Sequence, residues 1–155
     1  MACYFDDAEK QKKLKDVLDS WLNTPFRHRC GVKGKGCDCI HFVGKVLEEM
    51  GVFKWRKSLI LDYPRDWHLH RTKELLMDGI LRELNVEKVE YPDLKNGDIC
   101  LFRYGRASAH AALYFDRYFY QSITDVGVRR ISSDDSETKK RMTHIFRVKA
   151  CLQDQ

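Results

Sequence analysis

Apolar residues recur at Leu14, Val17, Leu18, Trp21 and Leu22, the i, i+3, i+4, i+7, i+8 spacing of one helix face. The pattern predicts an amphipathic helix over 8–22, with Asp6 or Asp7 as its N-cap. The next stretch, "NTPFRHRCGVKGKG", breaks the period with Pro25 and three glycines and reads as a loop. The helical period returns in Cys39, Val43, Val46, Leu47 and Met50, predicting a second helix over 39–50. Asp38 stands where an N-cap belongs and Gly51 where a helix ends. "SLILDYPRDWHLH" is irregular and aromatic, and 72–84 forms a third helical pattern. After "YPDLKNGD" the segments shorten and Asn96-Gly97 signals a turn. "ICLFRY", "HAALYF", "YFYQSI", "GVRRI" and "THIFRVKA" are rich in β-branched and aromatic residues and predict an antiparallel meander. Helices first and strands second make an α+β fold. No repeat, low-complexity tract or linker divides the chain, so residues 1–155 read as a single domain.

Composition adds little to this picture. At 43% hydrophobic and 12% aromatic the chain is globular in character. A formal charge of +5 suits an anionic polymer such as nucleic acid or cell wall, and equally plain solubility. The basic runs at 129–130 and 139–141 read as solvated charge, because nucleic-acid binding needs basic residues interleaved with exposed aromatics. No specific nucleic-acid partner is expected. The N-terminus lacks the apolar run of a signal peptide, and no stretch approaches the roughly 20 apolar residues of a membrane span. The expectation is cytoplasmic synthesis with reduced thiols.

The thiols are the candidate chemistry of the chain. A cysteine attacks as thiolate, and a helix N-terminus favours negative charge. Cys39 follows the Asp38 cap directly, and Gly31, Gly34 and Gly36 leave room for a substrate backbone. A nucleophilic cysteine needs a base held by a third polar group. His110 opens the strand "HAALYF", and Gln121 lies on the following strand "YFYQSI". Adjacent antiparallel strands can bring the two together, so that Gln121 holds one ring nitrogen and the other faces the thiol. Cys30, Cys37 and Cys39 with His28 are a possible zinc set, but C-x6-C-x-C is not a paired metal spacing, and no metal is expected. A Cys30–Cys37 disulfide would require an oxidising space. Trp55, Tyr63 and Trp67 are candidates for a groove taking peptide or sugar, or for packing under their own crossover. His68 and His70 read as surface or groove residues.

Taken in order, "NTPFRHRCGVKGKGCDCIHFVGKVLEEMG" and "LKNGDICLFRYGRASAHAALYFDRYFYQS" resemble the NlpC-type family of papain-like cysteine peptidases, the bacterial cell-wall hydrolases. Thr24-Pro25-Phe26-Arg27 matches the family's opening, Asp38-Cys39 its nucleophile pair, Gly97-Asp98 and Phe102 its strand, and His110 its base. Gln121 falls at the third polar position, and the likeness spans about 21–148. The resemblance implies a papain-like α+β domain. It implies amide hydrolysis through an acyl-enzyme by Cys39, His110 and Gln121, acting on peptidoglycan or another peptide without metal or organic cofactor. Phe26 replaces the usual tyrosine, which is associated with the oxyanion site, and His41 replaces a glycine and is expected to narrow the cleft. With Trp67 these are the expected substrate-binding residues. The extended "G-C-D-C" form and Pro64-Arg65-Asp66-Trp67 are similar to peptidases encoded beside phage tail and gene-transfer-agent genes. That likeness implies tail-protein partners and a place on the virion. The same triad could also run deamidation or acyl transfer, and a site closed by His41 and Phe26 would make the domain a non-catalytic tail component.

Overall fold

A computed structural model of the chain describes residues 3–54 and 75–150. A short 3-10 turn, Tyr4–Asp6, leads into helix α1, Ala8–Trp21. Asp7 caps α1 by accepting from Glu9 N at 2.8 Å. Helix α2 is Cys39–Glu49, capped by Asp38 and followed by Gly51 at φ +77°. Both helices match the periodicity. Helix α3, Leu75–Glu83, falls within the third predicted helix. Trp55, Tyr63, Trp67, His68 and His70 lie outside the described residues.

The main sheet has six strands: β3 (Val86–Val89), β4 (Ile99–Tyr104), β5 (Ala107–Phe115), β6 (Tyr118–Ile123), β7 (Gly127–Ser132) and β8 (Met142–Val148). Their spatial order is β3-β8-β4-β5-β6-β7, antiparallel throughout. The expected meander therefore holds for β4 to β7 only. After helix α4, Ser136–Arg141, strand β8 returns to lie between β3 and β4. The loop after α1 also carries structure the local pattern did not show, a small hairpin of β1 (Gly31–Val32) and β2 (Gly36–Cys37).

Strand alternation sorts the sheet into two faces. Ile99, Leu101, Ala111, Leu113, Tyr120 and Phe146 turn to the helices, where Leu14, Leu18, Trp21, Phe42, Val46 and Leu47 meet them. Cys100, Phe102, Ala112, Phe119 and Ile145 form a second, smaller core on the other face. The segment 23–27 is sewn into both ends of this arrangement. Asn23 N donates to Val128 O, Val128 N to Thr24 O, Cys37 N to Pro25 O and Arg27 N to Cys37 O. The match to the "T-P-F-R" opening is thus a bridge between β7 and the small hairpin. Gly127 permits it: its φ is +108°, and a Cβ there would sit 2.4 Å from Thr24 O.

The Gly97-Asp98 pair is equally structural. Gly97 has φ +92°, and a Cβ would lie 2.2 Å from the Phe5 ring. Asp98, fully buried, accepts from Lys95 N at 2.8 Å and from Arg147 Nε and Nη2 of β8 at 3.0 and 2.9 Å. This two-pronged pair fixes the turn before β4 to the strand beside it. Removing one partner strands a buried charge, which costs far more than the pair contributes. Asp98→Ala is expected to lower the unfolding free energy by about 3–5 kcal/mol. Equilibrium urea unfolding measures this, and the double variant Asp98→Ala/Arg147→Met is expected to recover much of the loss.

Candidate active site

Asp38 builds the site from below. Its Oδ1 accepts from His41 N at 2.8 Å, the N-cap bond, and lies 2.9 Å from His41 Nδ1. Its Oδ2 accepts from Arg29 N at 2.8 Å, tying the hairpin loop to the helix start. Asp38 N donates to Cys30 O, and Phe42 N to Asp38 O. Of the helix's first amides, those of Cys39 and Ile40 are left for other use. Both act to favour charge on the Cys39 sulfur.

The sheet end opposite Cys39 is opened by two irregularities. Phe102 pairs with His110 but Arg103 pairs with Ser108, so Ala109 is an extra residue in β5, a bulge. The β5–β6 ladder pairs Leu113 with Tyr120, Tyr114 with Phe119 and Phe115 with Tyr118, and ends there. Beyond it the two strands part. Cys39 enters from the helix side, with its Sγ 3.7 Å from Ala109 O. His110 enters from the face that carries Phe102 and Tyr104, whose rings lie 5.9 and 5.6 Å from its own.

His110 Nε2 lies 2.5 Å from Gln121 Oε1, and Gln121 is buried. An amide oxygen only accepts, so Nε2 carries the proton and Nδ1 keeps its lone pair. Cys39, His110 and Gln121 line one cavity of about 380 Å³. Its walls also include Phe26, His28, Asp38, Ile40, Tyr104, Ser122 and Thr138. Phe26 is thus part of the cavity wall. His41 is not: it is 5% exposed, bonded to Asp38 and packed over Gly31. The expected narrowing by its bulk is absent because the cap bond turns the ring inward. Tyr104 was missed, although its alternation with Phe102 on β4 was the available signal.

Burial governs the titrations. It pushes the Cys39 thiol up to about 12, helped by the neighbouring Asp38 charge, with the amides of Ala111, Ile40 and Cys39 opposing. Burial lowers His110, with the Gln121 bond opposing. Both shifts favour the neutral pair, thiol and imidazole, and a thiol can donate to the Ala109 carbonyl as it does here. Cys37 is pushed up to about 11, again by burial, and Cys100 is raised well above the ordinary thiol. Cys3, Cys30, Cys37, Cys39 and Cys100 are all free thiols. Among the described residues no three His, Cys, Asp or Glu side chains gather as a metal site.

A neutral pair has a spectroscopic consequence. The thiolate absorbance near 240 nm at pH 7 is expected to be the same in wild type and Cys39→Ser. A larger signal in the wild type, lost with His110→Ala, would mean a preformed ion pair instead. Because His110 titrates below the ordinary 6.5, it stays a competent base to below that pH, so any acid limb of kcat/KM set by His110 is expected under pH 6.5.

The fold recurs in solved structures. A lipoprotein-like NLP/P60-family protein of Staphylococcus aureus subsp. aureus Mu50 superposes with a TM-score of 0.64 at 15% identity, over 97% of this chain and 45% of its own. An NlpC/P60 family protein of Bacillus cereus ATCC 10987 gives 0.57 at 19% identity, over 87% and 39%. The chain thus spans less than half the length of either. No curated protein matches it. The NlpC/P60 family model matches residues 23–147, most of the chain. The helix-borne thiol, the bulged strand and the two solved folds therefore meet in one conclusion: the chain belongs to the NlpC/P60 family, whose members are typically cell-wall cysteine peptidases.

Proposed function

We propose that this chain hydrolyses an amide bond in the peptide stems of peptidoglycan, at a γ-D-glutamyl linkage, through an acyl-enzyme on Cys39. The observation that carries this reading is the single cavity shared by Cys39 and the bonded His110–Gln121 pair. His110 Nδ1 takes the thiol proton as Sγ attacks the carbonyl carbon. The sulfur leaves the Ala109 carbonyl to do so. The developing oxyanion is met by the Cys39 amide at the start of α2. The C–N bond then breaks, His110 passes its proton to the leaving amine, and water releases the acyl group with His110 again as base. Gln121 holds the ring and its tautomer throughout. The likeness to tail-gene peptidases adds a setting, the opening of peptidoglycan during DNA entry.

Purified stem peptides are the test. Cys39→Ala is expected to abolish cleavage with an unchanged circular dichroism spectrum. His110→Ala is expected to lower kcat by about 100- to 10,000-fold. Cleavage persisting in Cys39→Ala would sink the acyl-enzyme.

A further inference from the structure

The basic run at the end of α4 reads as solvated charge in the sequence, but the fold brings it to the cavity. Thr138 lines the cavity wall, and Arg141 follows one turn later on the same side of α4. Its guanidinium lies 4.5 Å from the centre of the Tyr104 ring, the ring that also packs edge-on against His110. Arg141 Nη1 donates to Arg103 O at 3.4 Å, and Arg103 Nη1 donates to Arg106 O at 2.9 Å. The β4–β5 turn and the end of α4 therefore meet at one corner beside the mouth.

The charge there is not cancelled locally. The acids of this stretch are engaged elsewhere: Asp134 faces Lys139, Glu137 faces Lys140, and Asp135 accepts from Thr138. Among the described residues no carboxylate lies within ion-pair distance of Arg106 or Arg141, and both are exposed. The cavity interior has the opposite character. Phe26, Ile40, Ala109, Ile123 and Ile131 line it, and its one carboxylate, Asp38, is taken up by Arg29 N and His41. An uncharged reacting group fits inside, and an anion fits at the rim. A guanidinium held against an aromatic face is ordered and still presents its outer N–H groups for forked recognition of a carboxylate.

We propose that Arg141 forms a carboxylate-binding rim that selects peptide substrates bearing a free carboxylate beside the scissile amide. The identity of that carboxylate rests on the γ-glutamyl reading above: a γ-linked glutamyl residue leaves its α-carboxylate free, and amidation removes the charge. Arg141 is a specificity residue on this view, and it acts on binding rather than on proton transfer.

The test uses two synthetic stem peptides with a γ-D-glutamyl linkage, one with the α-carboxylate and one with the α-carboxamide. Wild type is expected to favour the carboxylate peptide by about 5- to 10-fold in kcat/KM, mostly through KM. That preference is expected to shrink as salt is raised. Arg141→Gln is expected to bring the ratio within about twofold by slowing the carboxylate peptide alone, with Arg141→Lys retaining part of the preference. Equal treatment of both peptides by wild type, or an equal loss on both in Arg141→Gln, overturns the proposal. If neither peptide is cut, the γ-glutamyl hydrolysis fails and the rim is judged by calorimetric titration of Cys39→Ser with the same pair. Tighter binding of the carboxylate peptide, lost on adding Arg141→Gln, then supports the rim, and equal or absent binding overturns it.

Discussion

The geometry of the site depends on one buried carboxylate. Asp38 starts α2 through His41 N, anchors the hairpin loop through Arg29 N and turns the His41 ring inward. Each bond satisfies a donor that burial would otherwise leave costly. Together they set where the first helical residue, Cys39, points its sulfur. The same charge works against that sulfur's ionisation. The residue that positions the nucleophile therefore adds to the burial that keeps it protonated, and the task of activation passes to His110.

The opposite wall is made by withheld pairing. Continued β5–β6 pairing would zip the two backbones together beyond Leu113 and Tyr120, and a regular β4–β5 ladder would engage the Ala109 backbone. The bulge and the parting strands leave an opening through which a helix on one face and a histidine on the other can share a cavity. Rigid elements on either side, α2 with its core and the Phe102–Phe119 cluster, hold that opening in shape.

Much of this was legible in local sequence. Helix α2, its Asp38 cap and its Gly51 stop are written in consecutive residues, and so are four strands joined by turns. The His110–Gln121 contact followed from two strands adjacent in sequence. Non-local decisions were not legible. Nothing in "THIFRVKA" says that it will lie between β3 and β4, because the contacts that hold it there, the Arg147–Asp98 pair among them, are distant in sequence. His41 read as a cleft residue because sequence gives its position on the helix but not its bond to Asp38. The basic end of α4 read as solvent-facing because only the fold sets it against Tyr104.

The placement of β8 bears on how the protein is made. A chain leaves the ribosome from its N-terminus, and every residue that lines the cavity precedes position 139. The strand that joins β3 to β4 and carries Arg147 to Asp98 comes only at 142–148. A nascent chain thus holds all the chemistry of the site before it holds the strand that completes the sheet behind it. The framework closes only once 142–148 have been made, so the cavity takes its final form after every residue that lines it already exists.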